Sequence, residues 1–145
     1  MADLVIDTAT AACSVALLDG DAILAERHEI VGRGHAERLV PQIAELIAER
    51  PGLCQAIRVD CGPGSFTGVR VGLAAARALG LGWKVPVSGY SAMVLIAGAI
   101  FAGVDAPDTL CVAITGGHGE LFVRRFARTS FAALTDLASL SPAVA

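Results

Sequence analysis

The sequence is short of charge, of aromatic rings and of any long apolar run. Of its 145 residues, 17% are charged and 5% aromatic, where an ordinary globular domain carries about 25% charged residues. Low charge combined with 54% hydrophobic residues and a mean hydropathy of +0.64 excludes disorder and coiled coil. It also leaves little polar surface, which suits a chain that hides apolar area against a partner. A basic excess is missing too. Eleven Lys and Arg stand against fourteen Asp and Glu, for a net charge of −3. Autonomous nucleic-acid binding needs a dense basic face, and the one local cluster, Arg124, Arg125 and Arg128, reads as a solvated strand end. The longest uncharged apolar run, Ala92 to Val104, is thirteen residues. A membrane span needs about 20, so a buried helix is expected there. No basic leader precedes Asp3.

Cysteine is sparse: four residues at 13, 54, 61 and 111, with no C-x-x-C and no zinc-ligand spacing. Cys13, Cys61 and Cys111 sit in apolar strand-like runs, where free thiols act as small core groups. Reduced thiols and a cytoplasmic location are expected.

What is present is a clear alternation of periods. Leu4 to Ile6, Cys13 to Leu18 and Ala22 to Ile30 read as three antiparallel strands, with Asp19-Gly20 suited to a type I′ turn. Ala36, Leu39, Val40, Ile43, Leu46 and Ile47 then recur at helical spacing. Pro41 inside that run predicts a kink or a late start, and Pro51-Gly52 predicts its end. Ile57 to Cys61 alternates apolar residues with Arg58 and Asp60, as a strand with one polar face does. A helix over about 67–81, a strand over 85–88 and a helix over 91–103 follow. The order β-β-β-α-β-α-β-α implies an α/β fold with a mixed sheet covered by helices. Ala106-Pro107-Asp108 marks a boundary, which divides the chain into 1–105 and a shorter 106–145. Beyond it, strands over 110–114 and 121–126 flank a turn at Gly116 to Gly119, and Phe131 to Leu140 is expected to be a short helix. This strand-turn-strand echoes the opening hairpin. Duplication and chance likeness are equally open on pattern alone.

Two features could carry chemistry. Gly62-Pro63-Gly64-Ser65-Phe66-Thr67-Gly68 joins a strand to a helix, where backbone N–H groups can hold an anion. It lacks the lysine of a P-loop and the last glycine of a dinucleotide fingerprint, and a tight turn with a Ser cap is the better-supported reading of the residues alone. Gly64, Gly68, Gly72, Ala76 and Gly80 recur every four residues, and interior glycine costs about 1 kcal/mol relative to alanine. Close approach of another element offsets that cost, either within the chain or from a partner helix. Asp7, at the end of the first strand before Thr8, is placed for a ligand or for an Asx turn. His35 opens a helix without the second histidine of an H-x-x-x-H metal pair.

Ile6-Asp7-Thr8-Ala9-Thr10, Gly34-His35-Ala36-Glu37-Arg38-Leu39-Val40-Pro41 and above all Gly62-Pro63-Gly64-Ser65-Phe66-Thr67-Gly68-Val69-Arg70 together resemble the TsaB family. The resemblance is strong over 1–100 and weaker to 126. It implies an actin/Hsp70-like ATPase fold of two RNase H-like lobes, here an N-terminal lobe over 1–105 and a short second lobe over 106–145. It further implies a non-catalytic dimerisation subunit that supports TsaD, with TsaE, in forming threonylcarbamoyladenosine at position 37 of tRNA. No cofactor and no metal are expected of this chain, and tRNA is met only through the complex. The implied contact, in homodimers and with TsaD, uses His35, Leu39, Val40 and Ile43 of the first helix. From the second it uses Gly68, Val69, Arg70, Gly72, Leu73, Ala76 and Arg77. Asp7, Thr8, Gly62, Gly64 and Ser65 are the implied remnant of a nucleotide pocket. Ile114 to Phe122 departs from the Asp-Ala-Arg start that the family tends to carry there. A weak ATPase using Asp7 and the glycine loop, and a glycoprotease-like metallopeptidase, are the alternative functions.

Overall fold

The computed structural model describes residues 1–49, 52, 54–130 and 132–143. The opening strands are β1 (Ala2–Asp7), β2 (Ala12–Asp19) and β3 (Ala22–Ile30), followed by α1 (His35–Glu49), β4 (Cys54–Asp60), α2 (Phe66–Trp83), β5 (Val87–Tyr90) and α3 (Ala92–Phe101). They build a five-stranded sheet in the order β3-β2-β1-β4-β5. The β1–β2 and β2–β3 pairs are antiparallel, and β1–β4 and β4–β5 are parallel. Each parallel step needs a crossover, and the two crossovers are α1 and α2.

The core follows from the alternation. Leu4 and Ile6 of β1, Val15 and Leu17 of β2, and Ile57 and Val59 of β4 point to one face. Leu39, Ile43 and Leu46 of α1 and Ala76 of α2 close over them. Pro41 lies inside α1, whose start at His35 is not late. The edge strand β3 carries Glu26, Arg27, His28 and Glu29, charges that blunt an open edge. Arg27 pairs with Glu45 and Glu49, and Arg38 with Glu29, tying β3 to α1.

A second sheet holds β6 (Thr109–Thr115), β7 (Leu121–Ala127) and β8 (Ala138–Leu140), all antiparallel. Its core is separate from the first. Val112, Ile114 and Phe126 pack with Ala92, Met93, Ala97 and Phe101, so α3 turns its buried face to β6.

Several expectations need correction. No helix forms between 132 and 140, and the expected first residue, Phe131, lies outside the described residues. β7 offers an unpaired edge: Leu134 donates its N–H to Arg125 O at 2.8 Å, Thr135 Oγ1 accepts from Arg125 N at 3.2 Å, and β8 completes the ladder. The first hairpin turns at Gly20-Asp21. Only Gly20 of the two has positive φ, so no type I′ turn forms. Cys61 and Cys111 are exposed, while Cys13 and Cys54 are buried; Cys61 falls one residue past β4. Asp60, expected on a polar face, is 1% exposed, because α3 covers that end of the sheet. Pro51, the expected helix stop, is outside the described residues, and α1 ends at Glu49.

Candidate interface and glycine-loop site

The glycine loop is built against the first turn of the chain. Ser65 donates its N–H to Ala9 O at 2.6 Å, and Thr8 Oγ1 donates to Gly68 O at 2.7 Å. A Cβ on Gly64 would collide with Ala9, one on Gly68 with Thr8 O, and one on Gly72 would stand 2.5 Å from Thr8 Oγ1. Farther along the ridge, Gly80 faces Val87 of β5. Thus the four-residue ridge is filled by the protein's own β1, β4 and β5. Gly68, Gly72 and Ala76 are buried inside the chain and offer no surface to a partner. Ser65 caps α2 by accepting from Gly68 N at 3.3 Å.

Three residues assigned to the contact from α1 are likewise turned inward. Leu39 and Ile43 are core, and His35 is buried with its Nε2 2.8 Å from Thr10 O and 3.1 Å from Ala12 O. One N–H shared between two carbonyls pins the start of α1 to the β1–β2 turn. The remaining residues do reach the surface. Val40 is 61% exposed, Arg70 and Arg77 are exposed, and Val69 and Leu73 are half-buried. α1 and α2 lie in contact on one face of the sheet. Sequence reasoning missed the two largest apolar groups there: Phe66 is 60% and Leu81 83% exposed. Their spacing was the available signal, since Phe66, Arg70, Arg77 and Leu81 fall opposite the glycine ridge on a helical wheel. The Arg70 guanidinium lies 3.6 Å from the Phe66 ring centroid, a cation–π contact that holds both side chains in place. The α2 helix carries Arg70 and Arg77 and no acidic residue, while α1 carries Glu37, Glu45 and Glu49.

The implied nucleotide-pocket residues meet where the β1–β2 turn abuts the glycine loop, and most of their polar groups are spent on contacts within the chain. Asp7 Oδ1 accepts from Ala9 N at 3.1 Å, which is the Asx turn, and Thr8 is buried. Gly62, at positive φ, opens a cis Gly62-Pro63 bond. Only Ser65 reaches the cleft between the two sheets. There it joins Gly32, Arg33, His35, Phe66, Thr67, Gly117 and His118 around a cavity of about 340 Å³. Asp60, not assigned a role beforehand, accepts on Oδ1 from Gly62 N at 2.9 Å and from Ala92 N at 3.1 Å. Burial pushes its carboxyl above the usual range against the pull of those N–H groups, and the Asp7 charge pushes the same way. Tyr90 is also raised by burial, and its hydroxyl donates to Ile6 O at 3.0 Å.

Residues 27–137 match the family model described as TsaD: tRNA N6-adenosine threonylcarbamoyltransferase. The chain is 34% identical over 128 residues to the tRNA threonylcarbamoyladenosine biosynthesis protein TsaB of Escherichia coli K12, covering 86% of this chain and 54% of that protein. It is 33% identical over 112 residues to TsaB of Bacillus subtilis, covering 74% of this chain and 49% of that one. The chain therefore spans about half the length of the curated relatives it matches. Among solved structures, YeaZ from Pseudomonas aeruginosa superimposes with a TM-score of 0.82 at 30% identity over 97% of this chain and 68% of that one. The Lmo2764 protein of Listeria monocytogenes superimposes with a TM-score of 0.57 at 14% identity over 95% of this chain and 49% of that one, a likeness of fold alone.

Proposed function

The chain belongs to the TsaD family in its TsaB-like form, an actin/Hsp70-like ATPase fold, and from that premise we propose that it is a scaffold subunit in tRNA threonylcarbamoyladenosine formation. In this reading it binds the threonylcarbamoyltransferase TsaD, works alongside TsaE, and meets tRNA only through the assembly. The division into a lobe over 1–105 and a short second lobe from 106 belongs to the same proposal, as do a cytoplasmic location and a role without turnover of its own. No helix among the described residues is long and apolar enough to cross a membrane.

The observation that carries it is the outward face of α1 and α2. Val40 on α1 and Phe66 and Leu81 at the two ends of α2 stand exposed, large apolar side chains on two helices that pack side by side. Arg70 and Arg77 on α2 and Glu37 on α1 put both signs of charge on these helices, as a self-complementary contact under a two-fold axis needs, which also suits a homodimer of the free chain. The contact set is thereby redrawn as Val40, Phe66, Val69, Arg70, Leu73, Arg77 and Leu81.

Light scattering after gel filtration, on this chain mixed with TsaD of its own organism, tests the proposal. A 1:1 complex is expected, abolished by Leu81→Asp in a variant that keeps the wild-type circular dichroism. No complex, or a complex indifferent to Leu81→Asp, overturns it. The second reading, a weak nucleotide site, rests on the cleft where Arg33, Ser65, Thr67 and His118 meet. Equilibrium dialysis with Mg-ATP should then show binding that Arg33→Ala removes.

A further inference from the structure

β6 ends the second sheet, whose order is β6-β7-β8, and among the described residues its outer side meets no strand. The direction of its backbone groups follows from the hairpin. Gly116 donates its N–H to Glu120 O at 2.8 Å, and Arg128 donates to Asp108 O at 2.9 Å. Both bonds belong to the register that sets Val112 beside Arg124. Bonded and non-bonded pairs alternate along an antiparallel ladder, so Leu110, Val112 and Ile114 bond to β7. Thr109, Cys111, Ala113 and Thr115 direct their N–H and C=O groups the other way. Across β7 the same alternation holds, since Arg125, opposite Cys111, accepts on its O from Leu134 N. Among the described residues none of the outward groups of β6 has a protein partner, and all four side chains are exposed.

An open row of donors and acceptors is a template for another strand, and proteins blunt such edges with charge, proline or short length. The other sheet edges are blunted in these ways. β3 carries Glu26, Arg27, His28 and Glu29, β5 has four residues and β8 has three. β6 has seven residues, none charged and none proline. Its buried face is seated on α3 through Val112 and Ile114. α3 is uncharged as well, and leaves Val94, Leu95 and Ile100 exposed.

We propose that β6 is a docking edge for the β6 strand of a second copy of this chain, joining two three-stranded sheets into one. Thr109 then stands opposite Thr115 of the second copy, and Cys111 opposite its Ala113, about a two-fold axis at Val112. This register uses the outward N–H and C=O groups of both edges. Threonine pairs are favourable cross-strand neighbours, and no charges face each other across the seam. The axis is perpendicular to the joined sheet, so both α3 helices fall on one side of it, with no charge on either to repel the other. The contact is isologous and closes at two chains. A strand and a helix without charge give a charged partner nothing to recognise, whereas they match themselves. The edge lies on elements other than α1 and α2, so it stands or falls separately from the scaffold reading.

The test uses the full chain carrying Leu81→Asp, which removes the α1/α2 contact, in sedimentation velocity over a concentration series. A dimer is expected. Ala113→Pro deletes an N–H that β7 does not use, and proline is tolerated at such edge positions. It should keep the circular dichroism of its parent and weaken the dimer by roughly tenfold or more. Bonded cross-strand pairs have Cα atoms about 5.5 Å apart, within disulfide reach. Ala113→Cys should therefore give a disulfide-linked dimer with copper phenanthroline, lost when Cys111→Ser is added and kept with Cys61→Ser. Amide exchange at Cys111 and Ala113 should slow as concentration rises, with Val112 unchanged. A monomer at all concentrations, or a dimer indifferent to a folded Ala113→Pro, overturns the proposal. Exchange at Cys111 that is slow at every concentration overturns it too, and assigns the edge to a strand of the same chain. If Ala113→Pro or Leu81→Asp does not fold, the Ala113→Cys disulfide in the otherwise wild-type chain decides, and its absence overturns the proposal.

Discussion

Asp60 Oδ1 accepts the N–H of Ala92 across 32 residues of chain, and so caps α3 in place of Ser91, whose side chain makes no cap bond. The same oxygen holds Gly62. One buried carboxylate thus fixes the exit of β4, the glycine loop and the entry of α3. Asp60→Ala should cost about 2 kcal/mol, a cap plus a buried hydrogen bond, and Asp60→Asn less than half of that because it keeps the accepting oxygen. Urea midpoints in metal-free buffer measure both. A loss under about 0.5 kcal/mol for the alanine variant would show that α3 is held by its packing on β6 alone.

Two glycines of α2 should respond in opposite directions to the same methyl group. At Gly72 it would meet Thr8 Oγ1, so Gly72→Ala should lose about 1–3 kcal/mol. At Gly82 it would meet nothing within 4 Å, so Gly82→Ala should gain about 0.5–1 kcal/mol from the helix. Thermal melts of the pair check this. A neutral Gly72→Ala would mean that the Thr8 hydroxyl can swing aside. Gly72 is also the wrong place to probe a partner, since its variants perturb the sheet first.

Arg58 Nη2 lies 2.7 Å from Asp3 Oδ2, and that hydrogen bond holds the Asp3 carboxyl below its ordinary value of 3.8. A depressed carboxyl stabilises the fold above the unfolded value, and the benefit is lost as pH falls through the folded one. Stability should therefore drop below about pH 4 in the wild type, with part of that slope due to Asp3. Asp3→Asn should remove that part and lower stability at pH 7. Urea midpoints between pH 7 and pH 2 give the comparison, and parallel curves for the two proteins would assign the slope to other carboxyls.

Phe66→Ser and Leu81→Ser should leave the melting temperature within the small range of surface substitutions, about 0.5 kcal/mol, because neither side chain is in the core. Both should weaken self-association, measured by sedimentation over a concentration series. A large fall in stability would instead place these groups in intramolecular packing.

Much of the architecture was legible because it rests on period. The strands around Leu4, Val15 and Ile57 and the helix through Leu39 and Ile43 each repeat an apolar face, and burial simply reads that face out. The glycine ridge was legible as a ridge but not in its direction. Spacing says that something approaches the helix closely, and cannot say whether Thr8 or a partner does. Asp60 was misread for a related reason. Alternation on β4 placed it opposite Val59, on a face that would be polar were α3 not seated over it. The stretch 132–140, expected as part of a helix, forms none because its partner is the edge of β7, a pairing that spacing within the stretch does not show. Site geometry was least legible, since neither the bond of Asp60 to Ala92 nor that of Ser65 to Ala9 can be read from spacing along the chain.

The interlocking of α2 with Thr8 and Ala9 also governs how the helix can meet anything else. A helix keyed into backbone at Gly64 and Gly68, and into Thr8 at Gly72, is not free to roll about its own axis. Its azimuth is set before any encounter, so Phe66, Arg70, Arg77 and Leu81 are presented at fixed angles and surrender little freedom on docking. Association through this face should accordingly resemble rigid-body docking, with affinity differences among variants expressed in how fast complexes fall apart.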